Sequence, residues 1–131
     1  MITTNTTQDL RAIALNNPHR FKVAAGIYYK NSLISWGVNQ YKTHPIMLNK
    51  GYKEHQVFLH AEADAIRKFL QSKSKYSLED CSIHVLRLKR ETPKGKYVTA
   101  MAKPCKGCMN LITTFGIKEV YYTEDNYACE H

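Results

Sequence analysis

The strongest constraint on this chain is a pair of short stretches far apart in sequence, His60-Ala61-Glu62 and Pro104-Cys105-Lys106-Gly107-Cys108. A single ion gripped by both forces two separate segments to meet at one point. A catalytic zinc takes three protein ligands and keeps one position open. His60, Cys105 and Cys108 supply one imidazole and two thiolates. Glu62 is then no ligand but an acid/base beside the open position. The spacing of Cys105 and Cys108 puts both sulfurs on one side of a helix's first turn. That helix reads from Cys105 to Phe115, with Met109, Ile112 and Phe115 as its apolar stripe and Gly116 at its end. A second helix runs from Leu59 to about Gln71, carrying Leu59, Ala63, Ile66, Phe69 and Leu70 at helical spacing. Two helix N-termini would point at one cation and favour thiolate over thiol. The bland alternatives are no metal at all or a closed structural zinc site, for which Cys81, His84, Cys129 and His131 are the spare donors.

The 131 residues suit a single domain spanning 1–131. A hydrophobic share of 44% and a charged share of 23% place the chain among soluble globular proteins. It has no apolar run long enough to cross a membrane. Its first residues lack the basic-then-apolar form of a secretory leader. With a Cys-x-x-Cys pair this points to a reducing, cytoplasmic setting and to metal rather than disulfides. The net charge of +8 suits an anionic partner, a nucleotide phosphate or a nucleic-acid backbone. The basic run Arg87-Leu88-Lys89-Arg90, with Lys94 and Lys96, reads as an exposed hairpin.

Along the chain, Thr6 or Thr7 caps a helix over Gln8 to Asn16 that ends before Pro18. Phe21 to Tyr29 and Leu33 to Val38 form an antiparallel hairpin about Lys30-Asn31-Ser32. Trp36 in its second strand reads as core. The stretch from Gln40 to Val57 has no period and leads into His60, so part of it should rim a pocket. His55 there reads as a solvent histidine. Ser82 to Lys89 alternates as a central strand. Thr92-Pro93-Lys94-Gly95 turns it back, and Lys96 to Ala102 is extended up to the cysteines. Ile117 to Thr123 is the last strand. It follows a crossover helix and should lie parallel to the strand before it. The expected fold is α/β, three α-β-α layers around a mixed five-stranded sheet with helices on both faces.

The pattern His-x-Glu followed by Pro-Cys-x-x-Cys is the signature of zinc-dependent nucleobase deaminases. From about Phe21 to Thr123 the chain resembles the cytidine deaminase-like superfamily. The resemblance rests on Gly37-Val38-Asn39, on His60-Ala61-Glu62-Ala63-Asp64-Ala65-Ile66, on Pro104-Cys105-Lys106-Gly107-Cys108 and on Gly116-Ile117-Lys118-Glu119-Val120-Tyr121-Tyr122. Histidine as first ligand is similar to the branch holding deoxycytidylate and tRNA adenosine deaminases. The turn at Glu91 to Lys96 departs from relatives that run one strand straight into Pro-Cys.

The resemblance implies Zn2+ as cofactor, His60, Cys105 and Cys108 as its ligands and Glu62 as the catalytic acid/base. It implies Asn39 as a substrate hydrogen-bonder, the backbone of Ala61 against the pyrimidine carbonyl and Pro104 shaping the pocket floor, with His44 at the rim. The implied reaction turns cytosine into uracil with release of ammonia on a free nucleotide such as dCMP, in a homo-oligomer. Two other readings stand beside it. One is an editor of cytosine or adenine in single-stranded DNA or tRNA, with an aromatic and basic groove. The other is a non-enzymatic zinc-stabilised interaction module with a closed site.

Overall fold

The strand with the cleanest alternation, Ser82–Lys89, is the one around which the fold is built. The structure is a computed structural model that describes residues 4–18, 22–40, 60–90 and 92–125. Its elements are α1 (Thr4–Leu15), β1 (Lys22–Tyr29), β2 (Ser32–Val38), α2 (Ala61–Gln71), a single 3-10 turn (Leu78–Asp80), β3 (Ser82–Lys89), β4 (Val98–Ala100), α3 (Lys106–Thr114) and β5 (Glu119–Tyr122). β2, β1 and β3 lie side by side and antiparallel. The outer edge of β3 is shared. β5 pairs in parallel with Ser82 to Val85, and β4 pairs antiparallel with Arg87 to Lys89. The result is the mixed five-stranded sheet expected from the sequence.

The two faces of the sheet follow from the period of two in β1 and β3. Ala24, Leu86 and Leu88 meet Leu10 and Ala14 of α1 on one face. Ala25, Ile27, Ile83 and Val85 meet Ile66, Phe69, Leu111 and Ile112 of α2 and α3 on the other. Helices therefore cover both faces. Gly37 sets how closely α2 can lie. A Cβ there would stand 2.4 Å from the Ala65 nitrogen and 2.6 Å from the Ala61 oxygen, so only glycine lets β2 touch the start of α2.

Several expectations need correction. α1 begins at Thr4, and Thr6 is buried within it instead of capping it. Trp36 is not core: it is 47% exposed, because β2 is the edge strand and α1 packs over β1 and β3. Leu70 also faces outward on α2. The last strand is parallel to β3, not to β4, which immediately precedes α3 in the chain. The turn closed by the Gly95 N–H on the Thr92 oxygen reverses the chain, so β4 runs against both. No described helix is long and apolar enough to cross a membrane.

Candidate metal centre and cavity

Both ligand-bearing stretches sit at helix N-caps. His60 and Cys105 hold extended backbone angles directly before α2 and α3. As N-cap, Cys105 does with sulfur what serine usually does with oxygen: its Sγ accepts the Cys108 N–H at 3.4 Å. Cys105 and Cys108 thus share one helix start, one as cap and one a turn in. His60 Nδ1 lies 3.6 Å from the Cys105 sulfur and 3.3 Å from that of Cys108. The three ligand atoms fall within 4.8 Å of one another. Tetrahedral zinc with bonds of about 2.0–2.3 Å separates its ligands by roughly 3.4–3.8 Å, so this donor set fits the ion in both type and spacing. Among the described residues no fourth cysteine, histidine or carboxylate joins the group. Cys81 instead donates to the Ser77 oxygen, and His84 pairs with Ser82. Cys129 and His131 lie outside the described residues.

The electrostatics match a cation site. The hydrogen bond from Cys108 holds the Cys105 thiol down at about 4, against the opposing effect of burial and with help from His60. Burial pulls the His60 imidazole down, yet its hydrogen bond to Cys105 and the charges of Glu62 and Cys105 raise it overall. A proton held among two sulfurs and a carboxylate is what a metal displaces on binding. Glu62, 5% exposed, is pushed up by burial, while its own backbone N–H and His60 hold it down.

A cavity of about 340 Å³ opens beside these groups, the size of a small-molecule site. His60, Ala61, Glu62 and Cys105 line its helix side, and Asn39, Val23, Val85 and Arg87 its strand side. Two of the expected substrate contacts, Asn39 and Ala61, are therefore in its wall. Pro104 is buried next to it without lining it. His44 lies outside the described residues. Asn39 is held in a defined orientation. Its Oδ1 accepts the Val23 N–H at 3.0 Å and Asn17 Nδ2 at 2.8 Å, which turns the amide nitrogen the other way.

The family follows from the sequence, since the profile of the cytidine and deoxycytidylate deaminase zinc-binding region matches residues 5–124. The chain belongs to the cytidine and deoxycytidylate deaminase family. It is a zinc deaminase by family and by donor set. No curated protein matches it. Among solved structures it is similar to the dCMP deaminase of the cyanophage S-TIM5 in apo form, with a TM-score of 0.57 and 20% identity over 98% of this chain and 90% of that one. The same phage enzyme in complex with dCMP and dUMP gives 0.55 and 22%, over 93% of this chain and 83% of that one. At such identity the likeness is one of fold.

Sequence reasoning missed three parts of this deaminase's site. Asp64 is wholly buried and accepts the Val38 N–H at 3.2 Å and Gln40 Nε2 at 3.1 Å, bracketing Asn39. Asn17 binds both oxygens of Asn39 from the end of α1. Arg87, read as part of an exposed hairpin, is half-buried in the cavity wall. Only its place in the alternation of β3, opposite in phase to Leu86 and Leu88, signalled its side of the sheet.

Proposed function

We propose that this deaminase hydrolyses the amino group of a cytosine nucleotide, most simply dCMP, to give the uracil nucleotide and ammonia. Formally it is a hydrolase acting on a cyclic amidine. The observation that carries this reading is the buried Glu62 in one cavity wall with His60 and Cys105, which with Cys108 make a three-donor group that, among the described residues, has no fourth side-chain donor. A closed structural site would need that fourth donor. The fold likeness to an enzyme described with dCMP and dUMP supports the choice of nucleotide.

On this reading His60, Cys105 and Cys108 hold the zinc. Zinc held there supplies the Lewis acidity that makes hydroxide available at neutral pH. Glu62 takes the proton of the attacking water and passes it to the ring nitrogen next to the amino-bearing carbon. The water oxygen bonds to C4. Glu62 then takes the second proton, from the oxygen now bonded to C4, and delivers it to the amine as the C–N bond breaks, leaving the C4 carbonyl of uracil and free ammonia. One water is consumed and nothing is oxidised or reduced. Ala61 offers its backbone N–H to the pyrimidine carbonyl, and Asn39 holds the substrate from the strand side.

The test is ammonia release and uracil formation by the zinc-loaded protein on dCMP, cytidine, cytosine, adenosine and short single strands. Glu62→Ala should keep its zinc content and its melting temperature while kcat falls by about a hundredfold to ten-thousandfold. Wild-type turnover in that variant would remove Glu62 from the chemistry.

A further inference from the structure

The strand-side wall of the cavity carries a cation that the chemistry above does not use. Asn39, Val23, Arg87 and Ala100 form one row across the sheet. Asn39 bonds to the Val23 backbone, Val23 is in register with Arg87, and Arg87 with Ala100. Adjacent strands lie about 4.8 Å apart, so the backbone of Arg87 stands roughly 10 Å from that of Asn39. Leu86 and Leu88 point into the layer under α1. Arg87 must therefore emerge on the opposite face, two residues beyond core Val85, where the core gives way to the cavity.

Several other basic groups near the sheet are occupied. Arg67 and Lys68 pair with Asp64, and Lys89 with Asp125. Arg11 donates to the Tyr97 oxygen, Arg90 lies over the Tyr97 ring, and Lys22 donates to the Asn17 oxygen. Among the described residues the guanidinium of Arg87 has no carboxylate and no hydrogen-bond acceptor; its bond to Thr123 is made by the backbone N–H. Lys103 joins it in the cavity wall. Half-burying a guanidinium without a counter-charge is costly, and its planar fork matches a phosphate through two parallel hydrogen bonds.

We propose that Arg87, with Lys103 beside it, binds the phosphate of the substrate, which makes the substrate a cytosine nucleoside monophosphate and not the nucleoside or the free base. This rests on the deaminase reading above and deepens it.

The experiment compares dCMP with deoxycytidine, by steady-state kinetics and by calorimetric binding, in wild type, Arg87→Gln, Arg87→Lys and Lys103→Gln, each checked for an unchanged melting temperature. The ratio of kcat/KM for dCMP over deoxycytidine should fall roughly tenfold to a hundredfold in Arg87→Gln, as expected for losing hydrogen bonds to a charged group. Arg87→Lys should recover part of it, and Lys103→Gln should lose less. An unchanged ratio in Arg87→Gln, or a wild type that treats both substrates alike, would overturn the assignment. If neither substrate releases ammonia, the deaminase reading fails and calorimetry decides alone. Weaker dCMP binding by Arg87→Gln, set against deoxycytidine, then upholds the phosphate site, and equal binding overturns it. A single-stranded oligonucleotide that binds more tightly than dCMP and is weakened equally by Arg87→Gln would overturn the monophosphate in favour of a strand.

Discussion

Asp64 shows how a single residue supports the site without touching it. It has no exposed surface, yet it carries a charge. Arg67 at 2.5 Å and Lys68 at 3.4 Å, three and four residues on and so about one turn along α2, neutralise that charge. Its remaining acceptor capacity goes to Val38 and Gln40, the neighbours of Asn39. The side chain thus ties the end of β2 to the helix that starts at His60. Removing it leaves the mostly buried Arg67 with only Gln71 and the part-buried Val38 N–H without its acceptor, while Lys68, 41% exposed, can turn to water. Asp64→Ala should cost about 2–4 kcal/mol, less than for a pair buried on both sides because Lys68 reaches solvent. Asp64→Asn keeps an acceptor for Val38 and should cost less. Urea denaturation of the three proteins measures both, and an alanine variant within about 1 kcal/mol of wild type would show that the network does not hold this junction. In the sequence Asp64 was visible only as one letter in the family-like run after Glu62, because helical spacing tells which face a residue is on and not what a polar residue there binds.

At the scale of elements, the unusual feature is two strands on one edge. β5 covers the first half of β3 and β4 the second, and Thr123 closes the seam between them. Its N–H donates to the Val85 oxygen, its hydroxyl donates to the Ala100 oxygen and accepts the Arg87 N–H, and its own oxygen accepts the Ala102 N–H. This seam aims Ala102 and Lys103 at the cavity and delivers Cys105 to the start of α3. Thr123→Val keeps the shape of the side chain and removes the hydroxyl. It should destabilise the protein by about 1–3 kcal/mol through the buried groups left without that partner, while Thr123→Ser stays near wild type. Thermal unfolding reads the stability, and faster amide exchange at Arg87 would place the damage at the seam; equal stability of all three would refute it. The strands themselves were legible: β3 was read at its observed bounds from its alternation. Their arrangement was less so. Local pattern says that Val98–Ala100 is extended, but which stretch of β3 it covers depends on where β5 has already paired. Trp36 failed for a similar reason, since an aromatic in a strand signals a buried face only where another layer covers it.

At the scale of the whole molecule, the positive charge bears on acid stability, and one buried histidine adds a component that can be isolated. His84 lies on the α1 side of β3, 8% exposed, between the rings of Tyr28 on β1 and Tyr121 on β5. Its Nε2 pairs with Ser82 Oγ at 2.9 Å, and its buried Nδ1 has no partner among the described residues. Burial lowers its pKa from 6.5 to about 4, against the raising effect of Glu119. In the unfolded chain the same imidazole titrates near its ordinary value. Between these two values the unfolded state binds a proton that the folded state refuses, so stability rises with pH there. The contribution is complete above about pH 6.5, is lost as the pH falls toward 4, and changes no further below that. At 1.36 kcal/mol per unit the loss is at most about 3–4 kcal/mol, reduced by what solvent still screens. Carboxylates and the growing net charge of a chain already at +8 act in the same acid range, so the wild-type curve alone cannot apportion it. The difference between wild type and His84→Gln can, because the glutamine keeps a hydrogen bond to Ser82 and does not titrate. Unfolding free energies from pH 7.5 to 4 should converge or cross as the pH drops, the wild type losing more than the variant. Parallel curves across that window would mean that His84 takes up its proton as readily folded as unfolded.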